Sequence, residues 1–292
     1  MKKLIATSVA ASALLLAAQT NAADLQLQEY KPSNKDAIFP VTSVLASGEK
    51  DAILFDAQFS LSDGKALVDM IKKSNKDLKM IYITAGDPDY YFGLQPLLKA
   101  FPNAKVVASP SIVKHIEATK EAKLAHWGPI LGKNAPTKIT VPQALDQSTL
   151  MLEGHKIEVK EMGTYQAYMW VPESKTVFGG VSLTSGMHVW TADTQTVEAR
   201  SAWMQSLERM KQLEPNVVIP GHYLGTPLQK DYAIDFTHSY LTTFEQALDE
   251  AKKQESKQSE KVIAIMKAAY PALPGDSDLE LGSQVNTGEM EW

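Results

Sequence analysis

The sequence contains no cysteine. Disulfides, thiolate zinc sites, thiol nucleophiles and a lipid-modified cysteine anchor are excluded by that inventory, so any metal would have to be held by histidine and carboxylate. It also lacks a run of lysine and arginine able to track a phosphate backbone, and its formal net charge is -5. Nucleic acid is therefore not an expected partner. No G-x-S-x-G elbow, phosphate-binding glycine loop or H-E-x-x-H pair occurs, which removes the serine-hydrolase, nucleotide-binding and zincin readings.

What is present begins with an apolar run from Leu4 to Ala18, preceded by Met1-Lys2-Lys3 and followed by Thr20-Asn21-Ala22-Ala23. A positive head, a short apolar stretch and small residues at its end predict a secretory signal peptide over 1–22, with cleavage near Ala22 or Ala23 and a periplasmic or secreted mature chain. A spanning helix needs about 20 apolar residues, and this run gives way to Gln19, so no stable membrane anchor is expected. The rest of the chain is long enough for one large core or two fused halves.

Beyond a polar N-terminal segment over 23–40, hydropathy periods organise the chain into a main domain over 41–255 and a C-terminal helix with a polar tail over 256–292. Val41 to Leu45 and Ala52 to Phe55 read as a hairpin around the turn Gly48-Glu49-Lys50-Asp51. Leu67, Val68 and Ile71 recur at helical spacing after Ser62, a candidate N-cap. Strands Met80 to Ile83 and Lys105 to Ala108 then alternate with helices, the second of which starts at Pro110 and runs to about Lys123. In the middle of the chain, Ser148 to Met151, Lys156 to Lys160, Ala167 to Val171 and Thr176 to Phe178 read as an antiparallel meander. A helix from about Thr196 to Leu213, a strand from Asn216 to Ile219 and long helices around Asp231 to Lys253 and Lys261 to Tyr270 follow. Past Pro271 little apolar material remains, and a loose tail is expected. Both halves run antiparallel strands first and strand–helix units second. This predicts an α/β (α+β) fold in which two sheets pack face to face with helices outside, a four-layer αββα sandwich.

The order Ala52-Ile53-Leu54-Phe55-Asp56, Met80-Ile81-Tyr82-Ile83-Thr84, Asp87-Pro88-Asp89, Phe178-Gly179-Gly180 and Ile219-Pro220-Gly221-His222 resembles the metallo-β-lactamase superfamily, over roughly Val41 to Tyr223. In that family a strand runs into a loop of pattern T-H-x-H-x-D-H followed by glycine and a helix. Here the loop reads Thr84-Ala85-Gly86-Asp87-Pro88-Asp89-Tyr90-Tyr91-Phe92-Gly93. The first histidine position holds Ala85, the second Asp87 and the last Tyr90, while the carboxylate is kept as Asp89. The histidine of a later G-H-T-like turn falls near Gly163-Thr164-Tyr165 and is absent. Val181 stands at the bridging aspartate, and the final P-G-H histidine is kept as His222.

The resemblance implies hydrolysis by metal-bound hydroxide, with each ion held by about three protein ligands. Too few ligands survive for two ions. A single divalent ion, Fe, Mn or Zn, on Asp87, Asp89 and His222 is the reduced site the resemblance leaves, with Asp89 and His222 as the catalytic pair and Tyr90 as a further phenolate donor. The alternative reading has Asp87 and Asp89 capping the following helix and His222 bonded within its turn. For binding a small-molecule substrate or ligand, the candidates are Tyr90, Tyr91 and Tyr165 in an aromatic cluster, with His188, Trp190 and Asp193 in the loop after a strand end. For these too, packing and a helix start at Asp193 are the competing roles. His115, His126, His155 and His238 lack ligand spacing and read as surface or core residues. Two functions follow: an exported, hydrolase-like protein with a reduced or lost metal site, or a non-catalytic binder of a small molecule or partner on the same fold.

Overall fold

The first half of the chain runs β1 (Gln26–Tyr30), β2 (Ser43–Ser47), β3 (Asp51–Phe55), α1 (Leu61–Ser74), β4 (Asp77–Ile83), α2 (Pro88–Tyr91), α3 (Leu94–Ala100), β5 (Lys105–Ala108), α4 (Pro110–Leu131) and β6 (Gln143–Ala144). These strands form one sheet in chain order, antiparallel from β1 to β3 and parallel from β3 to β6. The second half runs β7 (Thr149–Leu152), β8 (His155–Lys160), β9 (Tyr168–Val171), β10 (Thr176–Phe178), β11 (Thr184–Ser185), α5 (Val197–Gln212), β12 (Val217–Ile219), β13 (His222–Tyr223), α6 (Tyr232–Ala251), α7 (Gln258–Ala269) and α8 (Asp276–Asn286). Its main sheet has the order β12-β10-β9-β8-β7, and β11 pairs with β13 in a small parallel ribbon. The computed structural model describes residues 24–32, 38–164, 166–226 and 231–292. The signal peptide expected over 1–22 and the candidate Tyr165 lie outside them. No described helix is long and apolar enough to cross a membrane.

Strand alternation places the layers. On β9, Met169 and Val171 join the core shared with β2, β3 and β4, whereas Tyr168 and Trp170 face a second core built with α5, α6 and α7. Successive side chains on a strand point to opposite faces, so this sheet must be covered on both sides. Helix α1 covers the outer side of the first sheet with Leu67, Val68 and Ile71. The αββα sandwich is the result.

Three boundaries differ from the sequence reading. Helix α1 is capped by Ser60, whose hydroxyl accepts from the Asp63 amide, not by Ser62. Helix α4 continues past Lys123 to Leu131, where Gly132 takes over with positive φ. The loose tail is instead helix α8, whose Leu279 and Val285 are buried. Polar anchoring holds it: Asn286 Nδ2 donates to Thr191 O at 2.9 Å, and the buried Arg200 guanidinium donates to Asn286 and to Glu245 on α6. Gly282 lies so close to Thr191 that a Cβ would come within 2.2 Å of its Oγ1. A segment tied by hydrogen bonds and close backbone approach leaves little hydropathy signal.

Thr84, at the end of β4, joins the two halves. Its amide and hydroxyl each donate to Asp56 at 2.7 Å, its hydroxyl accepts from the Gly180 amide at 2.7 Å, and its carbonyl accepts from the Ala167 amide at 2.8 Å. Burial pushes the Asp56 carboxyl up to about 8 against the lowering effect of the Thr84 hydrogen bonds. The folded chain therefore holds this proton more tightly than the unfolded chain. The group's contribution to stability is full below the ordinary carboxylate range and is lost as pH rises from about 4 to about 8. Urea midpoints at pH 5 and pH 8 are expected to differ more in the native chain than in Asp56→Asn; equal differences would contradict the shift.

Candidate functional site

The loop after β4 presents Asp87 and Asp89 at the start of α2, and the parallel β11–β13 ribbon presents His222 opposite them. The His222 amide is held by the Leu183 carbonyl at 3.2 Å, and Val41, just before β2, bridges to His222. His222 Nε2 donates directly to Asp89 Oδ2 at 2.8 Å, with both side chains largely buried. The Tyr90 hydroxyl lies 3.4 Å from Nδ1 on the other side of the ring. Tyr90 itself donates to Gly180 O at 3.0 Å, and its ring meets the imidazole edge to face at 5.7 Å.

Asp87 makes no capping hydrogen bond. Its Oδ1 instead accepts from Lys123 Nζ, one turn before the aromatic end of α4, at 2.6 Å. Burial works against the Lys123 charge, but Asp87 beside it, helped by Asp193 and Asp89, raises its pKa above the usual lysine value. The ammonium is therefore a permanent cation.

The expected ligand set Asp87, Asp89 and His222 does not form. Asp89 and His222 are spent on each other, Asp87 is spent on Lys123, and among the described residues no group of three or more histidine or acidic side chains is placed to hold a metal ion. Complete burial, with Asp89, Asp56 and Asp87 nearby, raises the Tyr90 pKa well above the usual phenol value, so with no ion beside it the phenol is a neutral donor. Three or four convergent donors define a protein metal site, and the side chains here do not fit one.

Beside this cluster lies a cavity of about 410 Å³ lined by Asp87, Asp89 and His222 below and by aromatic rings around it. Five of these rings form a closed circuit: Trp127 to Phe39 at 5.2 Å, Phe39 to Trp190 at 5.5 Å, Trp190 to Trp292 at 5.5 Å, Trp292 to His126 at 5.8 Å and His126 to Trp127 at 4.7 Å. Every contact is close to perpendicular, the edge-to-face arrangement that aromatic quadrupoles favour. The collar members are half-buried or exposed, whereas Asp89, His188, Trp203 and Asp278 inside the cavity are buried.

Of the sequence candidates, His188, Trp190 and Asp193 line this cavity. His188 Nδ1 pairs with the Tyr240 hydroxyl at 2.9 Å, and burial lowers its pKa, so the ring is neutral. Asp193 accepts from the indoles of Trp190 at 2.6 Å and Trp292 at 3.0 Å, a different role from a helix start; Thr196 caps α5. Tyr90 and Tyr91 do not line the cavity but are buried in the first core. Lys123, Phe39, His126, Trp127, Asp278 and Trp292 were missed. A signal existed for α4 alone: 123, 126 and 127 share a helix face by i, i+3 and i+4 spacing once the helix is carried through to Gly132.

Comparison with known proteins bears on the scaffold. The family model described as the metallo-beta-lactamase superfamily matches residues 37–222. Comparison with curated proteins gives no match. Among solved structures, a metallo-beta-lactamase family protein from Thermus thermophilus is 16% identical with a TM-score of 0.61, covering 90% of this chain and 91% of its own. A metallo-beta-lactamase from Pontibacter korlensis is 18% identical with a TM-score of 0.53, covering 75% of this chain and 99% of its own. At such identities the likeness is one of fold.

Proposed function

The chain belongs to the metallo-beta-lactamase superfamily, and from that premise we propose that it is a binding protein whose cleft takes a small, largely apolar molecule without metal-dependent hydrolysis. One observation carries the reading: the two ligand residues that the family pattern retains, Asp89 and His222, are hydrogen-bonded to each other at 2.8 Å. Nε2 is engaged by Asp89, and Nδ1 faces the buried Tyr90 hydroxyl at 3.4 Å. A cavity of about 410 Å³ walled by aromatic rings survives beside them, within the range of about 300 to 1,000 Å³ usual for small-molecule pockets. Export to the periplasm or medium belongs to the same proposal and rests on the leader-like pattern of 1–22.

The test has two arms. Protein stripped with chelator and re-equilibrated with Zn, Mn or Fe(II) is expected to carry less than about one-tenth of an ion per chain by elemental analysis, where a functional site would carry about one. The neutral probe N-phenyl-1-naphthylamine is expected to bind with a Kd on the order of micromolar, chelator or not. A stoichiometric ion lost in His222→Ala would establish the hydrolase-like alternative, with a reduced site, in place of this one.

A further inference from the structure

The cavity's charges are unequal. Four carboxylates line it, from Asp87, Asp89, Asp193 and Asp278, against one ammonium, from Lys123. Lys123 answers Asp87 and His222 answers Asp89. Among the described residues the side-chain hydrogen bonds to Asp193 come from two neutral indole N–H donors, with the Lys123 charge nearby. Asp278, in the first turn of α8, is 9% exposed, and the one side-chain hydrogen bond to its carboxylate among the described residues comes from Ser277 Oγ at 3.4 Å. Burial pushes its carboxyl up to about 6, the mark of an anion set in a poorly solvated place. Next to it His188 Nε2 is buried without a hydrogen bond, 3.9 Å from Asp276. A buried carboxylate with so weak a donor calls for a partner from the ligand.

The walls call for the same partner. Four of the chain's five tryptophans, 127, 190, 203 and 292, line this one cavity. Indole faces carry negative potential and attract cations, most strongly where water is excluded. An anionic ligand would meet these walls and the carboxylates of Asp193 and Asp278 together, whereas a neutral one would leave Asp278 without a strong donor.

Resting on the binding function above, we infer that the ligand is an organic ammonium ion with an apolar body, its cationic head directed to Asp278 within the tryptophan walls and its body passing through the aromatic collar. The test compares three molecules of nearly one shape: benzyltrimethylammonium, its neutral carbon isostere neopentylbenzene and benzylsulfonate. Each competes against N-phenyl-1-naphthylamine, and the ammonium is also titrated directly by calorimetry. The ammonium is expected to bind at least about tenfold more tightly than the other two. Asp278→Asn should bring it to within about twofold of the neutral isostere. Should that variant fold poorly by circular dichroism, Asp193→Asn serves in its place, with a smaller loss expected at its more exposed carboxylate. Naphthylamine binding with no charge preference, or with the sulfonate preferred, overturns this inference and leaves the binding function standing. Failure of all four molecules to bind overturns both.

Discussion

Tyr90→Ala is expected to lower the unfolding free energy by about 3–5 kcal/mol, the range for deleting a buried aromatic ring whose surroundings cannot collapse. The ring is fully buried, packs edge to face on His222 and sends its hydroxyl to the Gly180 carbonyl. Its own carbonyl accepts from the Ala57 amide at 2.7 Å, so the backbone is held on both sides and cannot close over the gap. Tyr90→Phe keeps the ring and loses only the hydroxyl contact, for which about 1 kcal/mol is expected. Urea unfolding of the two variants separates filling from hydrogen bonding. Equal stabilities would mean that the phenol does not occupy the space this structure gives it.

Gly221→Ala should be harsher. A Cβ there would lie 1.9 Å from the Gly180 carbonyl oxygen and 2.9 Å from the Tyr90 hydroxyl. Gly180 cannot yield, because it sits at φ 73° and a Cβ of its own would lie 2.1 Å from the Ala167 carbonyl. Backbone meets backbone here, with no flexible side chain to swing aside, so a loss of more than about 4 kcal/mol or a failure to accumulate folded protein is expected. Gly128→Ala, on α4 with Leu124 Cδ1 at 3.7 Å as its nearest contact, is the matched control. It is expected to gain up to about 1 kcal/mol from helix propensity. Circular dichroism melts of the pair decide the matter, and a Gly221→Ala protein as stable as the control would refute the close approach.

These positions explain what could be read in advance. The strand segments and the sandwich were legible because Tyr168 and Trp170 against Met169 and Val171, or Leu67, Val68 and Ile71, carry their periods in consecutive residues. The nearness of Asp89 to His222 came through the family pattern. The pairing of Asp87 was not legible because its partner, Lys123, lies on a helix 36 residues away, and no local period announces a salt bridge. Strand β1 was hidden by its polar sequence, being an edge strand paired only with β2. The collar was illegible for the same reason as α8: Phe39, the end of α4, Trp190 and Trp292 come from four remote segments, each with an ordinary reason to hold an aromatic residue. Only tertiary structure closes the circuit.

Thr84 has a consequence for how the molecule assembles. The Thr84 hydroxyl, donating to Asp56 and accepting from the Gly180 amide, links the strand carrying the aspartate loop to the glycine turn that leads towards the histidine ribbon. Neither lobe, folded in isolation, would own a complete recess; the concavity comes into being only when the lobes dock. Formation of the cavity therefore depends on long-range contacts between the halves, and a partly assembled chain would expose its aromatic groups to solvent.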